Sequence, residues 1–327
     1  MLFLLFLLLI SFVVFSGFRQ TTVPLAVEQD DSAYHGKEQL DTYTMLLAGD
    51  VMLDRGVAFW VARYGENDWR FPWQFVAKRL SGADVVFVNH EGVMSAVGQD
   101  AGGVYSFNFP LTALDGLLFA GVDVVSLANN HSFDWGGAAL CDTRKRLVVA
   151  GVGVVGAGCD YVEANAPYIH SFPDGSSVGF LGFTPFYEYG AAGADYPGIS
   201  EYSLVSMREQ IVALQAKVSV VAVSLHWGDE YVSQPNAEQQ RVGRALIDAG
   251  ADIIIGHHPH VVQEVEEYNG GWILYSLGNF IFDQYFSEET MEGLVGVATV
   301  RGGAVVSVET EKVSLNQYFQ PSFVGGE

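Results

Sequence analysis

From Tyr43 onward the sequence repeats one pattern: a short apolar or β-branched run, a polar loop, and a stretch with helical periodicity. Eight runs are interpreted as strands, at residues 44–48, 85–88, 122–127, 152–155, 178–183, 218–225, 253–255 and 272–276. Several are apolar at every position, which is typical of parallel strands covered on both faces. The alternation therefore predicts an α/β fold in which layers of helices cover the sheet.

Five stretches between these runs are predicted to be helices, at residues 71–80, 111–120, 137–150, 206–217 and 237–249. Pro or Asn stands near several of their starts and Gly just past several ends, as expected of helix boundaries. Near the C-terminus, residues 294–300 and 304–309 predict a hairpin around Gly302 and Gly303. We expect one domain over residues 43–285, followed by a closing hairpin and tail over 286–327.

The N-terminus is a separate, strongly apolar segment in which Ser11 is the single polar residue of positions 2–15. Extended as a helix to Phe18, it would nearly cross the ~30 Å hydrocarbon core of a bilayer. Its length also suits a signal peptide, with Val14 and Ser16 as possible cleavage-site residues, although no Lys or Arg precedes it. We interpret residues 1–18 as a signal peptide or membrane anchor and 19–42 as a linker. The remaining chain is then expected in the cell envelope, outside the cytoplasm, either anchored or secreted.

Charge and cysteine content exclude several classes of protein. The chain has 16 Lys and Arg against 38 Asp and Glu, a formal net charge of −22. It lacks the broad basic surface that neutralises phosphates, so nucleic acid is not an expected partner. Two cysteines, Cys141 and Cys159, are too few for a disulfide framework or a Cys-rich zinc module. A single disulfide between them is possible if the domain is exported.

The loops that follow five of the predicted strands carry most of the residues with metal-binding chemistry. These loops are residues 49–55, 89–92, 128–134, 226–230 and 256–260, and they contain six of the eight histidines. In an open α/β sheet the carboxyl ends of parallel strands share one edge, where ligands bind. The pattern predicts a metal site there. Asp54, Asp229 and Glu230 are either further metal ligands or solvated surface residues, and the sequence does not decide between these alternatives.

The chemistry of these side chains favours more than one ion. His258 and His260 flank Pro259, and in an extended segment residues two apart face the same way. Carboxylate, amide and imidazole donors without thiolate suit Mn, Fe or Zn. Six candidate ligands exceed what one tetrahedral ion takes, whereas two divalent ions about 3.5–4 Å apart would use them all. Such a pair generates hydroxide near neutral pH and neutralises an attacked phosphoryl group.

Three further residues in these loops have candidate roles in catalysis or binding. His131 and Asp134 are three residues apart and touch if a helical turn begins there. An imidazole held by a carboxylate fits a general acid that protonates a leaving group. Arg55 follows the first loop and either clamps a phosphate or carboxylate or forms a surface ion pair.

The motifs GDVMLDR, NHEG, LANNHSFD, SLHWGDEY, IIIGHHPHVVQ and YSLGNF together resemble the poly-γ-glutamate capsule-synthesis (CapA) family of calcineurin-like metallophosphoesterases. The resemblance covers about residues 45–283. It implies an αββα sandwich of two mixed sheets flanked by helices, with a dinuclear metal centre at one edge. The positions matched to metal ligands are Asp50, Glu91 (as the bridging carboxylate), Asn130, His226, His258 and His260. His131 matches the catalytic histidine.

Three positions depart from the superfamily pattern. Met52 stands where a histidine usually follows the first aspartate, so one ion would be held differently. Glu91 stands where many relatives have Asp, which alters the expected spacing of the metals. His257 adds an imidazole that we place beside the ligands rather than among them.

The resemblance implies an envelope-anchored metallophosphatase-fold protein that serves poly-γ-glutamate synthesis or export and is capable of phosphoester hydrolysis. Its expected partners are the polymer or a phosphoester substrate, membrane synthase subunits, and the membrane itself through the N-terminal segment. An alternative is a non-enzymatic accessory subunit that holds the polymer or a synthase partner. A secreted nucleotidase-like phosphatase is less favoured because no second substrate-binding domain is visible in the sequence.

Overall fold

A computed structural model describes residues 40–186 and 190–325 of the chain. The apolar segment 1–18, interpreted above as an anchor or signal, and nearly all of the predicted linker lie outside these described residues. Among the helices within 40–186 and 190–325, none combines the length and the apolar character that a membrane span needs.

Each predicted run overlaps a strand of the described residues, although several bounds shift, and six of the sixteen strands were not predicted. In chain order they are β1 (Thr42–Val51), β2 (Val85–His90), β3 (Val124–Ser126), β4 (Gly153–Val155), β5 (Ala157–Gly158), β6 (Tyr168–Ser171), β7 (Ser177–Phe183), β8 (Gly198–Ile199), β9 (Val220–His226), β10 (Ile253–His257), β11 (Val265–Tyr268), β12 (Gly271–Leu274), β13 (Asn279–Ile281), β14 (Glu292–Arg301), β15 (Ala304–Leu315) and β16 (Pro321–Phe323).

The helices follow the same alternation. They are α1 (Arg55–Tyr64), α2 (Ala77–Leu80), α3 (Ala113–Ala120), α4 (Gly136–Val149), α5 (Tyr161–Ala164), α6 (Leu204–Gln215) and α7 (Ala237–Ile247), with short 3-10 turns at Phe71–Trp73 and Glu289–Met291. The predicted α/β fold is confirmed.

Two mixed sheets organise these elements. The first has the order β16-β15-β14-β1-β2-β3-β4, with β13 also paired to β1, and its β1 to β4 strands are parallel. The second has the order β11-β12-β10-β9-β7-β6, with β7, β9, β10 and β12 parallel. Strands β14 and β15 form the antiparallel hairpin expected around Gly302 and Gly303.

Successive side chains of a strand point to opposite faces of its sheet, and the apolar ones form three layers. On β1, Met45 and Leu47 pack between the two sheets, whereas Leu46 and Ala48 face the helices α1 to α4. Phe87 of the first sheet stacks on Phe180 of the second, with ring centroids 5.6 Å apart. Helices α6 and α7 cover the outer face of the second sheet. The layers therefore run helix, sheet, sheet, helix.

One helix prediction is wrong, and helix α1 was not predicted. Residues 71–80 are not one helix: a 3-10 turn at Phe71–Trp73 is followed by the short α2. This break accompanies burial of the whole Trp73 side chain, which packs on Phe280. Helix α1 was missed, although Asp54 caps it and its buried Val57 and Val61 are four residues apart.

A disulfide joins Cys141 on α4 to Cys159, which directly follows β5. We expect the double variant Cys141→Ala/Cys159→Ala to lose about 3 kcal/mol of unfolding free energy, because the bridge closes a short loop and restricts the unfolded chain. Urea denaturation measures this loss. Adding reductant should destabilise the parent chain by a similar amount and leave the variant unchanged; equal stability of the two oxidised proteins would contradict the expectation.

Candidate metal centre

The first carboxylate of the site, Asp50, lies near the end of β1 and is fully buried. Its placement depends on a close approach of two chain segments: the Asp50 amide donates to the Gly278 carbonyl at 3.0 Å. A Cβ on Gly49 would lie 2.0 Å from that same carbonyl oxygen, so glycine is required there. The contact fixes the carboxyl end of β1 against the loop that precedes β13.

Several donors surround the Asp50 carboxylate. His257 Nδ1 lies 3.1 Å from Oδ1, while His260 Nδ1 and the His258 amide each lie 3.3 Å from Oδ2. Burial alone would raise the pKa of Asp50, but the His257 and His260 imidazoles hold it well below its ordinary value. Asp50 is therefore an ionised carboxylate inside the protein.

The second carboxylate, Glu91, directly follows β2 and is also fully buried. Its Oε1 has no hydrogen-bond partner, although His260 Nε2 is 3.5 Å away and His131 Nε2 is 3.9 Å away. Burial, and then the charge of Asp50, raises the pKa of Glu91 well above its ordinary value. A buried carboxylate oxygen without a partner is costly. Two carboxylates this close fit a site that receives a cation.

His260 lies between the two carboxylates, and their negative charges favour the protonated form of its imidazole. Burial lowers its pKa, but the Glu91 charge and the Asp50 hydrogen bond raise it to about 9. Its Nδ1 also faces the Asn279 Oδ1 at 3.0 Å. Asp50, Glu91 and His260 offer ligand atoms that all lie within 4.8 Å of one another, a spacing that one cation could bridge.

A second cluster is formed by Asn130, His226 and His258. His226 Nε2 lies 2.8 Å from Asn130 Oδ1 and 3.1 Å from His258 Nδ1. Burial, followed by the neighbouring imidazole of His258, lowers the pKa of His226 well below its ordinary value. Burial, followed by His260, lowers the pKa of His258 to about 3. Both rings are therefore neutral, which is the form that binds metals.

Glu230, whose role as a ligand or a surface residue could not be decided from the sequence, lies close to His258 and His260. Its carboxylate forms a group with His258 and His260 whose ligand atoms lie within 4.8 Å of one another. Of the other open residues, Asp54 caps α1 and accepts from the Asn108 amide at 2.9 Å. Asp229 accepts from Asn236 at 2.8 Å and is exposed. Two overlapping groups of oxygen and imidazole donors fit divalent ions of the Mn, Fe or Zn type.

His131 and Asp134 occupy the turn between β3 and α4. His131 Nδ1 lies 2.7 Å from Asp134 Oδ2, and the same oxygen accepts from the Phe107 amide at 2.8 Å. The imidazole also packs on the Phe107 ring, with centroids 4.0 Å apart. The ring is held by a carboxylate and an aromatic side chain, and its Nε2 points toward Glu91.

Arg55 begins α1 beside this turn. Its guanidinium pairs with Asp283, whose second oxygen accepts from the Gly56 amide at 2.8 Å. The guanidinium also lies over the Phe107 ring, 4.7 Å from its centroid. Arg55 therefore forms the ion pair that was one of its two expected roles, and it also lines the cleft that opens onto the candidate metal groups; its role in binding a substrate stays a prediction.

That cleft has a volume of about 540 Å³. Half of its lining residues are polar or charged: Arg55, His131, Glu230, His260, Asp283 and Gln284. Aromatic rings line the remainder: Tyr105, Phe107, Tyr231, Phe282, Tyr285 and Phe286. The volume is in the range of sites for small organic ligands.

Asn89 and Asn279, which the sequence analysis did not select, and His257, which it placed beside the ligands, organise the site. Asn89 donates to Asp50 Oδ1 at 2.8 Å and Glu91 Oε2 at 3.1 Å, and its amide nitrogen lies 3.2 Å from His226 Nδ1. Asn279 faces His260, and His257, expected only to stand near the ligands, contacts Asp50. Position was the available signal for Asn89 and His257, because Glu91 and His258 directly follow strands β2 and β10; Asn279 begins β13, which carries no candidate ligand.

One local expectation is wrong. The segment around Pro259 is not extended, because His258 and His260 have φ angles of 97° and 57°. Both lie outside the β region, so the chain bends at each histidine. His258 therefore faces His226 while His260 lies between Asp50 and Glu91, with the two rings 6.0 Å apart.

We expect Asn89→Ala to lower the free energy of unfolding by about 3 kcal/mol, because two buried carboxylates lose their common donor. Urea denaturation with a chelator present measures this effect without any contribution from bound metal. The control is Asn165→Ala, whose amide donates to the Tyr161 carbonyl and accepts from Gln210 and the Glu201 amide without contacting any carboxylate; it should cost about 1 kcal/mol. Equal losses for the two variants would show that Asn89 does not organise the carboxylates.

Fold and site together define a layered α/β protein with candidate metal-binding groups at an edge where two sheets meet. The chain belongs to the family described as bacterial capsule synthesis protein PGA_cap, whose model matches residues 44–284. This confirms the family resemblance predicted from the motifs.

Relatives support the same assignment. The chain is 34% identical over 261 residues to "Capsule biosynthesis protein CapA" of Bacillus anthracis, covering 77% of this chain and 62% of the relative. It is 38% identical over 173 residues to "PGA biosynthesis protein CapA" of Bacillus subtilis, covering 53% of this chain and 46% of the relative. The chain thus spans about half to three-fifths of these two relatives' length.

Among solved structures, the NAD nucleotidase of Haemophilus influenzae is similar with a TM-score of 0.47 and 12% identity, over 88% of this chain and 54% of that one.

Proposed function

We propose that this chain is a metal-dependent phosphoesterase-type hydrolase of the cell envelope that serves poly-γ-glutamate capsule synthesis or export. The observation that carries the chemical part is the convergence of Asp50, Glu91 and His260 within 4.8 Å of one another. The biological part rests on membership of the capsule synthesis family. The calcineurin-like character of the fold belongs to the same proposal.

The ligands in this proposal are Asp50, Glu91, Asn130, His226, His258 and His260, with Glu230 as a further carboxylate near the mouth of the cleft. When two divalent ions are bound, the site gains Lewis acidity that lowers the pKa of a water and offsets charge on a phosphoryl group. Asn89 and His257 orient the Asp50 carboxylate. The unpartnered Oε1 of Glu91 is the atom whose burial a bound cation would best offset.

His131 and Asp134 supply the proton in this proposal. Asp134 holds Nδ1 of the imidazole at 2.7 Å and thereby orients Nε2 toward the cleft. His131 Nε2 then donates its proton to the oxygen of the departing group. Arg55 lies beside His131, with both side chains against the Phe107 ring, and its guanidinium contacts anionic oxygens of the substrate in this proposal.

Location in the envelope has independent support in the Cys141–Cys159 bond, because disulfides persist in oxidising compartments. In the proposed organisation residues 1–18 anchor or export the chain and residues 19–42 link it to a domain over 43–285. Residues 286–327 complete the first sheet. The net charge of −22 repels an anionic polymer, so any contact with poly-γ-glutamate is local, at the metal ions and Arg55.

The alternative is an accessory subunit that holds the polymer or a membrane synthase subunit through the same metals without turnover. It is favoured by the printed names of the two Bacillus relatives, which refer to biosynthesis and not to hydrolysis. The two functions differ in whether the His131–Asp134 pair has a chemical role.

Metal analysis combined with a phosphoester panel tests the proposal. We expect the full chain, loaded with Mn²⁺, to retain divalent metal through gel filtration and to hydrolyse p-nitrophenyl phosphate or bis(p-nitrophenyl) phosphate. Chelation should abolish turnover and Mn²⁺ should restore it. The control His170→Ala, on β6 and half-buried away from the site, should behave like the parent. Retained metal without any turnover would favour the accessory role, and absence of bound metal would contradict both.

A further inference from the structure

The cleft above the candidate metal groups has an unusually aromatic mouth. Tyr105, Tyr231, Tyr285 and Phe286, here called the aromatic rim, are 63%, 46%, 76% and 63% exposed. All four line the same cleft as His131 and His260. Aromatic side chains gathered in one solvent-facing patch mark binding surfaces more often than isolated exposed rings do.

The rim is partly organised before any ligand enters. The Tyr231 hydroxyl accepts from Gln284 Nε2 at 3.2 Å, and the Tyr231 ring meets Phe286 edge to face at 5.0 Å. Across the cleft, Tyr105 lies beneath the Arg55 guanidinium, 5.5 Å from the ring centroid. Tyr285 and Phe286 keep most of their surface exposed, although the Tyr285 ring lies 6.2 Å from the Phe319 ring, so ring faces remain accessible from the cleft. Such faces bind planar groups by stacking.

Apart from ions bound at the candidate metal groups, the cleft offers little positive charge to a long polyanion. Among the described residues that line it, Arg55 is the only Lys or Arg, and Asp283 already pairs with it. Glu230 adds a further negative charge at the mouth. A γ-linked glutamate chain carries one carboxylate per residue, so its extension through this cleft would bring like charges together. The mouth suits an uncharged organic group.

We propose that the aromatic rim binds the organic part of a phosphoester, and that this part carries a planar ring. The inference rests on the proposed function, because it places the phosphoryl group at the metal groups and His131. Water adds to phosphorus and loses a proton to solvent, and the P–O bond to the organic part breaks. The electron pair stays on the leaving oxygen, which takes the His131 proton, and His131 regains a proton from solvent. The products are phosphate and a ring-bearing alcohol.

Two substrates isolate the stacking contribution. Benzyl phosphate and cyclohexylmethyl phosphate have primary alcohols of similar size and acidity as leaving groups, but only the first has a planar ring. For the full chain loaded with Mn²⁺, we expect a KM for benzyl phosphate about fivefold lower, with similar kcat. The double variant Tyr285→Leu/Phe286→Leu keeps apolar side chains and should abolish this difference. The control Phe59→Leu, an exposed ring on α1 that does not line the cleft, should retain it.

Binding of non-hydrolysable analogues separates failure of this inference from failure of the proposed function. Benzylphosphonate should bind about fivefold tighter than cyclohexylmethylphosphonate in calorimetry, whether or not the protein has turnover. Turnover of both phosphates with equal KM, or a preference that survives the rim variant, would overturn the inference and leave the hydrolase proposal intact. Absence of turnover with a retained preference in binding would overturn the hydrolase proposal alone. Tighter competition by a γ-glutamyl oligomer than by benzylphosphonate would also overturn the inference.

Discussion

The variant His260→Asn should lose bound divalent metal and phosphoester turnover together, with turnover reduced about a thousandfold or more. His260 belongs to both groups of candidate ligands and lies between the Asp50 and Glu91 carboxylates. Its removal therefore weakens every proposed ion at once. Asn is the appropriate replacement because the backbone at His260 has a φ of 57°, a region that Asn tolerates better than Ala.

Metal content after gel filtration and p-nitrophenyl phosphate turnover measure the two effects separately. Far-ultraviolet circular dichroism should show an unchanged fold, and His170→Ala provides a matched histidine control on β6. Full metal content in His260→Asn would mean that the ions, if present, are bound elsewhere. In that case the assignment of Asp50, Glu91 and His260 as a metal group would be wrong.

The variant His131→Ala should separate chemistry from metal binding. We expect kcat to fall about 10²- to 10⁴-fold, the usual contribution of a general acid, while the metal content stays at the parent level. The physical reason is that His131 lies outside both groups of ligand atoms within 4.8 Å but next to them, with Nε2 3.9 Å from Glu91. The loss should be largest for substrates with poor leaving groups, because these most need a proton.

Asp134→Asn supplies the companion test. If Asp134 acts by orienting His131, the double variant with His131→Ala should lose no more activity than His131→Ala alone. Additive losses would indicate an independent role for Asp134, for example through its bond to the Phe107 amide. Loss of metal in His131→Ala would instead assign His131 to the ligands.

Strand ends were the part of the site that could be predicted from sequence. Asp50, His226 and His257 lie at or next to the last residues of β1, β9 and β10, and the strands themselves have clear apolar runs. Because parallel strands share their carboxyl edge, distant loops could be placed together without coordinates. The His131–Asp134 contact was predictable from a spacing of three in a turn.

Other features of the site depend on tertiary contacts, which the spacing of residues along the sequence does not reveal. Asn89 and Asn279 are amides within strand ends, and the sequence does not show that their side chains face carboxylates or imidazoles. The bends at His258 and His260 follow from positive φ angles, which residue type alone does not dictate. Helix α1 is different, because Asp54 and the spacing of Val57 and Val61 were signals that could have been used.

The two sheets contribute unequal chemistry to the centre. Asp50 and Glu91 lie at or just after the ends of strands of the first sheet, whereas His226, His258 and His260 lie at or just after the ends of strands of the second. An ion held by both sets would cross-link the halves of the sandwich, so metal loading and thermal stability would be coupled. Depletion of metal would then lower the melting temperature as well as the activity, and would make the protein more susceptible to proteolysis.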